Sequence, residues 1–151
     1  MRNLLTLFIF SILLFSCENT EDNIHVVQAD VDGVFYKANN IVARYHTEGE
    51  YFLLEGNINE GQLLMKIKYP PANVNLDLSP GTESFGAFTK SNSVYYTTDN
   101  ENGSGSVIID NISTTDRTIS GEFKFIAMSS GLDTLTVSKG FFYKVNYLNE
   151  D

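Results

Sequence analysis

Hydrophobic and polar residues alternate along most of the chain from Ile24 onward. The alternation is clearest in four runs, "QLLMKIKY" (62–69), "NVNLDL" (73–78), "ISGEFKFIA" (119–127) and "LTVSKGFFYKVNY" (135–147). A period of two places successive side chains on opposite faces of a β-strand, so that one face packs in a core and the other meets water. These runs therefore predict half-buried strands, and convincing helical periodicity is absent.

The last and longest run makes the sharpest prediction about the core. Strict alternation over thirteen residues places six side chains on one buried face: Leu135, Val137, Phe141, Tyr143, Val145 and Tyr147. The run "ISGEFKFIA" likewise predicts Ile119, Phe123, Phe125 and Ala127 on one core face.

Turn signals separate the runs at intervals of about ten residues. "DG" at Asp32–Gly33 and "NEG" at Asn59–Gly61 suit tight hairpins, because Asp, Asn and Gly tolerate positive φ. The stretch Ser79–Ser93 lacks clear periodicity and is predicted to be a loop over one end of the fold. The pattern predicts an all-β single domain over residues 24–151, an antiparallel β-sandwich or flattened barrel of eight or nine strands.

The first sixteen residues have a different character. Arg2 precedes twelve uncharged residues from Leu4 to Phe15. A helix of twelve residues is about 18 Å long, well short of a hydrocarbon core of roughly 30 Å, so the segment is a poor permanent membrane span. Length and flanks instead predict a secretory signal over residues 1–16, with Ser16 as the small residue before the cleavage site.

The chain's only cysteine follows that signal directly. The sequence Leu14-Phe15-Ser16-Cys17 resembles the lipobox of bacterial lipoprotein precursors. The resemblance implies that Cys17 carries diacylglycerol and becomes the first residue of a protein anchored in the outer membrane. Residues 17–23, "CENTEDN", are polar and predict a tether. Their acidic residues resemble the export signal that sends many Bacteroidota lipoproteins to the cell surface.

Composition narrows the classes of partner. The formal net charge is −9, and the ten basic residues are scattered along the sequence. An acidic surface repels phosphate groups, so we expect no nucleic-acid partner. One cysteine excludes an internal disulfide framework. The expected partners are the membrane, through the lipid on Cys17, and a glycan or a protein.

The C-terminal third, "GSVIIDNISTTDRTISGEFKFIAMSSGLDTLTVSKGFFYKVNY", resembles a family of small Bacteroidota lipoproteins classed as a domain of unknown function. The N-terminal "DVDGVFYKA" and the central "YYTTDNENGSG" extend the resemblance over most of residues 28–147. In that family a tryptophan often follows "DG", whereas this chain has Phe35 and Tyr36 there. The resemblance implies a lipoprotein signal and a compact all-β domain, and it implies no activity.

Motifs for catalysis or metal binding are absent from the sequence. His25 and His46 are 21 residues apart and lack ligand spacing, so both are interpreted as surface histidines. "DNENGSG" (99–105) has no bidentate Glu at the distance that a calcium loop needs and is predicted to be a solvated loop. No nucleophile motif occurs. We therefore expect a protein without enzymatic activity, cofactor or metal.

Two further sites remain as candidates. Tyr95 and Tyr96 are adjacent and must point to opposite faces of a strand, so they are candidate exposed aromatic contacts. "DTL" resembles a short Bacteroidota O-glycosylation motif, which implies Thr134 as the acceptor.

The expected function is a lipid-anchored binding or structural module. The alternatives are a small-ligand carrier with a lipocalin-like cavity, a glycan-binding protein and, more remotely, a hydrolase.

The anchoring hypothesis makes a direct prediction. Cys17→Ser should abolish labelling by radioactive palmitate and release the domain from membranes, because two or three acyl chains hold a domain on a bilayer and none would remain. Membrane fractionation and autoradiography measure both effects. An unchanged membrane fraction would refute the lipid anchor.

Overall fold

The computed structural model describes residues 25–58, 61–69 and 72–151. The regular structure in these ranges is entirely β, and no helix occurs in them. The eleven strands are β1 (Val26–Val31), β2 (Val34–Lys37), β3 (Asn40–His46), β4 (Tyr51–Ile58), β5 (Gly61–Lys68), β6 (Asn75–Asp77), β7 (Phe85–Lys90), β8 (Tyr95–Thr97), β9 (Ser104–Ser113), β10 (Thr118–Ser129) and β11 (Thr134–Glu150). The predicted all-β single domain is confirmed, with eleven strands in place of eight or nine. The predicted signal (1–16) and tether (17–23) lie outside the described residues.

All eleven strands belong to one hydrogen-bonded sheet that closes into a flattened ring. One half contains β6, β9, β10, β11, β1 and β2 in that order, and the other contains β3, β4, β5, β7 and β8. The halves join at two corners, where β10 pairs with β8 and β11 pairs with β3. The β11–β3 pairing is parallel, whereas the sequence predicted antiparallel neighbours throughout. The predicted sandwich or flattened barrel is thus confirmed.

Close approach of the two halves produces the core. A Cβ added to Gly56 of β4 would lie 3.5 Å from Val27 of β1, and one added to Gly86 of β7 would lie 2.7 Å from the Phe125 ring of β10. Where the halves join, the Phe52 ring of β4 lies 5.2 Å from that of Tyr147 on β11. Each fully buried large apolar side chain stabilises the fold by about 1.5–3 kcal/mol.

The space between the halves is filled by side chains. An internal crevice lined by Val27, Ala29, Leu63 and Phe88, among others, has a volume of about 10 Å³. This is at the lower limit for one water molecule, roughly 10–15 Å³. A small-ligand carrier needs roughly 300 Å³ or more, so this interior argues against the lipocalin-like alternative.

Strand β11 departs from the strict alternation that its sequence predicts. Phe142 is 1 % exposed, Tyr143 is 47 % exposed, and Phe141 is half-buried. The prediction that Phe141 and Tyr143 face the core is therefore wrong. The cause is two β-bulges, at which Lys139 and Lys144 adopt φ of 48° and 47°. Each bulge adds one residue and moves the following side chains to the other face.

The segment predicted as a loop, Ser79–Ser93, contains a central strand. β7 pairs with β5 on one side and with β8 on the other. Its Gly86, Ala87 and Phe88 are all buried, so small residues interrupt the expected alternation. Gly86 is buried because the Phe125 ring covers it. The loop prediction is wrong because glycine and alanine at buried positions give no periodic hydrophobic signal.

The hairpin predicted at Asp32–Gly33 is confirmed. Asp32 and Gly33 have φ of 50° and 82° and connect β1 to β2. Both φ values are positive, as a two-residue type I′ turn requires. The Asp32 amide donates to the Thr136 carbonyl over 2.8 Å, and Asp32 Oδ1 accepts from the Thr136 amide over 2.9 Å. The turn is thereby fixed to the start of β11.

The bulged register of β11 can be tested by stability. Phe142→Ala should lower the free energy of unfolding by about 3–5 kcal/mol, because it leaves a cavity in the core. Tyr143→Ala is the matched control and should cost less than about 1 kcal/mol, because that ring is exposed. Urea denaturation of both variants measures the difference. A larger loss for Tyr143→Ala would contradict the bulged register.

Candidate functional site: an outer groove on the six-stranded half

A groove of about 510 Å³ lies on the solvent-facing side of the six-stranded half. It is called the outer groove here, and its lining residues come from β1, β2, β10 and β11: Gln28, Asp30, Phe35, Glu122, Lys139, Gly140 and Phe141. Its volume lies within the range of roughly 300–1,000 Å³ that is typical of ligand pockets.

Alternation along β1 supplies the polar floor of the outer groove. Val27, Ala29 and Val31 point into the core, so Gln28 and Asp30 point outward. Lys139 projects over this floor from the first bulge of β11, and its Nζ lies 2.9 Å from Asp30 Oδ2. The Asp30 side chain is 17 % exposed and the Lys139 side chain 82 %. The Asp30 carboxylate, which is largely covered, is thus paired with a Lys139 ammonium group that is largely exposed to solvent.

Two phenyl rings border this floor. Phe35 is 59 % exposed and lies on β2, opposite Asp30 in the register of the two strands. Phe141 lies on β11, opposite Gln28 on one side and Glu122 on the other. Because β1 separates β2 from β11, the two rings arise from strands roughly 10 Å apart. The first bulge of β11 places Phe141 outward, so the same backbone irregularity positions the ring and Lys139.

Gly140 allows the bulged strand to lie close to the core. It is buried opposite Phe123 of β10, and an added Cβ would lie 2.4–2.6 Å from atoms of that ring. Next to it the outer groove adjoins a smaller pocket of about 250 Å³, which shares Glu122, Lys139 and Gly140 and adds Lys124.

The charges of this region balance. Asp30 and Glu122 contribute two negative charges, and Lys124 and Lys139 contribute two positive charges. The whole chain, by contrast, carries a formal charge of −9. The outer groove alone therefore carries a net charge of −1, and Lys124 in the adjoining pocket brings the sum for the region to zero.

The structure separates the two tyrosines that the sequence singled out. Tyr95 is 47 % exposed and lies on β8 in the five-stranded half, away from the outer groove. Tyr96 is 5 % exposed, so it cannot be an exposed aromatic contact. Its ring packs in the core below Lys90, whose Nζ lies 4.9 Å from the ring centroid. Alternation along β8 buries one of the two neighbours.

The other predicted sites lie apart from the outer groove. Thr134 is exposed at the start of β11, where it pairs with Met128. Its glycosylation stays a prediction. Cys17 lies outside the described residues.

The two histidines are half-buried, and each contacts two other residues. His25 Nδ1 contacts the Lys144 carbonyl, and its Nε2 lies 3.0 Å from Asn146 Nδ2. His46 stacks on the Tyr51 ring at 4.5 Å, and its Nε2 lies 3.5 Å from Glu150 Oε2. In the described ranges no three His, Cys, Asp or Glu side chains form a group that could hold a metal ion.

One titratable group in the described ranges is clearly perturbed, and it lies in the core seam where β3 meets β11. Burial and the neighbouring phenols of Tyr69 and Tyr45 raise the pKa of Tyr147, and Arg117 partly opposes them. The ring also packs on Phe52. This perturbation reflects packing within an aromatic cluster rather than a reactive site.

No motif in the sequence predicts the outer groove. The spacing of its polar residues matches no motif, and only the folded sheet brings them together: Gln28, Asp30, Glu122 and Lys139. One local signal was present, since "SKG" (138–140) places a glycine inside a strand pattern. An isolated glycine in such a pattern suggests a bulge.

Comparisons with known proteins give one match. The family model described as a domain of unknown function, DUF6252, matches residues 23–146. No match was found among curated proteins or among solved structures. Within the described residues, no helix has the length and apolar character needed to cross a membrane.

The role of Gly140 can be tested by one added methyl group. Gly140→Ala should lower the free energy of unfolding by about 1–3 kcal/mol, because the methyl group would overlap the buried Phe123 ring. The matched control is Gly131→Ala in an exposed turn, where the nearest atom would lie 3.7 Å away. Thermal or urea unfolding of both variants measures the cost. Equal stabilities would show that β11 is not pressed against Phe123.

Proposed function

Since the chain belongs to the DUF6252 family, whose domain has no known function, we propose a role from its own features. It is a lipid-anchored protein of the cell envelope, without enzymatic activity, that presents the outer groove as its binding surface. The lipid is carried by Cys17, and the protein resides in the outer membrane with the domain facing the cell exterior. The observation that carries the proposal is the position of Cys17, between an apolar signal-like segment and the start of the fold.

The length of the connecting segment supports the anchoring part. Eight residues, 18–25, separate Cys17 from Val26, the first residue of β1. Such a segment spans at most roughly 30 Å when fully extended, so the domain would stay near the membrane surface. Residues 18–25 include Glu18, Glu21 and Asp22, which favour a solvated tether.

The direction of β1 supports the presentation of the outer groove. His25 contacts Lys144 and Asn146, so the chain enters the fold beside the C-terminal part of β11. From there β1 runs toward the turn at Asp32–Gly33, and Phe35 lies just beyond that turn. The exposed ring of the outer groove is therefore at the end of the hairpin farther from the anchor.

A hydrolase is the second candidate, and one observation favours it. Asp30 on β1 and Glu122 on β10 line the same groove. Their strands lie on either side of β11, and a pair of carboxylates in one groove is the constellation that glycoside hydrolysis needs. Such an enzyme would release reducing ends from a glycan, and Glu122→Gln would abolish the release.

The tether makes the proposed location testable. Replacing Glu18, Glu21 and Asp22 together by Ala should preserve palmitate labelling of the protein. It should abolish labelling of this protein when intact cells are treated with a membrane-impermeant amine reagent. The reason is that these residues, and not the fold, are proposed to direct export to the outer face. Blotting of the protein after it is purified from the labelled cells measures how much label it carries.

A matched control replaces exposed acidic residues of the fold, Glu101 and Asp116, by Ala and should leave surface labelling unchanged. If the tether variant is labelled as strongly as the original chain, its acidic residues do not direct export. If the original chain is not labelled in intact cells, the proposed surface location is wrong.

A further inference from the structure

We propose that the outer groove is a binding site for a neutral carbohydrate chain. The inference names the ligand class of the proposed binding surface, and it rests on that proposed function only for the use of the outer groove. The rings, the hydrogen-bonding groups and the charges of the groove suit such a ligand.

The rings give the first argument. Phe35 holds a phenyl ring 59 % exposed to water, and Phe141 presents a second ring across β1. Exposed aromatic rings with polar groups between them suit a ligand that has both an apolar face and a polar rim. A pyranose has such faces, because its C–H bonds cover the ring surface and its hydroxyls point outward. The two rings are far enough apart for a sugar to lie over Gln28 and Asp30 between them.

The hydrogen-bonding groups give the second argument. Asp30 and Glu122 carry acceptors, Lys139 carries donors, and the Gln28 amide offers both. A hydroxyl group both donates and accepts, so it can use each member of this set. Two of these groups already contact each other before a ligand arrives, since Lys139 is paired with Asp30 at 2.9 Å. Such pre-organisation reduces the entropy lost on binding.

The charges give the third argument. The lining of the outer groove contains two carboxylates and one ammonium group, so it carries a net charge of −1 and offers no attraction to an anionic glycan. A second copy of the chain is also disfavoured, because both copies carry a formal charge of −9.

A protein partner fits the outer groove less well. The centres of protein interfaces are depleted of charged residues and rich in well-packed apolar groups. Here the Asp30–Lys139 pair occupies the centre and Phe35 lies at the rim. Covering the pair with a protein surface would strip water from two charges, which is costly unless every lost hydrogen bond is replaced. Sugar hydroxyls can replace these bonds.

An array of immobilised oligosaccharides tests the inference. The mature full chain is applied to neutral glucans, mannans, galactans, xylans and N-acetylhexosamine oligomers, with sulfated and uronic acid chains for comparison. Binding to at least one neutral chain is expected, with weaker or no binding to the anionic ones. Isothermal titration calorimetry with the neutral oligosaccharide that gives the strongest array signal then gives the affinity.

Variants connect the binding to the outer groove. Phe35→Ala and Phe141→Ala should each weaken affinity by at least about tenfold, as loss of an anchor ring does. Phe35→Trp should retain binding, because it keeps an aromatic face. Gln28→Leu keeps the side-chain size, removes the amide and should weaken binding. The matched control is Tyr95→Ala, which removes another exposed ring from the five-stranded half and should change nothing. Thermal unfolding establishes that each variant is folded.

The outcomes separate this inference from the proposed function. An empty array, binding to anionic chains alone, or an equal loss in Tyr95→Ala would overturn the carbohydrate site. Palmitate labelling and surface labelling would still report on anchoring and location in the same protein. Release of reducing ends from a bound neutral chain would support the site and contradict the non-enzymatic role.

Discussion

The seventeen residues of β11 form hydrogen bonds with three other strands, and the rest of the fold depends on this sharing. One edge of β11 pairs with β10, while the other pairs first with β1 and then with β3. A long strand that serves both halves of a flattened ring must bend and twist strongly. The two bulges provide this, because each extra residue bends the strand and increases its twist. Left-handed backbone at Lys139 and Lys144 costs about 1–3 kcal/mol each, which the buried Phe142 and Val145 help to offset.

The same bulges determine which side chains reach the solvent. Phe142 turns inward and packs with Phe123 at 6.3 Å between ring centroids, while Phe141 turns outward. Lys139 extends from the bulge to Asp30 on the neighbouring strand. The outer groove is thus a by-product of the geometry that closes the ring.

Sequence periodicity was sufficient for the fold class and for the straight strands. In β10, Ile119, Phe123, Phe125 and Ala127 are buried as the alternation predicted. Sequence periodicity was insufficient where the alternation of a strand is interrupted. A bulge shifts the alternation by one residue, and "SKGFFYK" contains two such shifts within seven residues. Strand β7 was predicted as a loop for a different reason, because its small buried residues carry little hydrophobic signal.

The candidate site was not predictable in the same way. Its members lie on two pairs of consecutive strands, β1–β2 and β10–β11, which are distant in sequence and become adjacent only because β1 pairs with β11. Tyrosine content drew attention to Tyr95 and Tyr96, yet the rings that border the groove are phenylalanines. The proposed lipid anchor, by contrast, was inferred from one continuous stretch of sequence, Cys17 and its flanking residues, and not from positions that the fold brings together.

The central claim is that bulges in β11 turn Phe142 inward and Phe141 and Tyr143 outward. Nuclear Overhauser measurements between aromatic side chains of the mature protein test it most directly. The account predicts cross-peaks between the rings of Phe142 and Phe123 and none from the Tyr143 ring to Phe123. Cross-peaks from Phe141 and Tyr143 to Phe123, with a solvent-exposed Phe142, would mean that β11 is regular and would remove the structural basis of the outer groove.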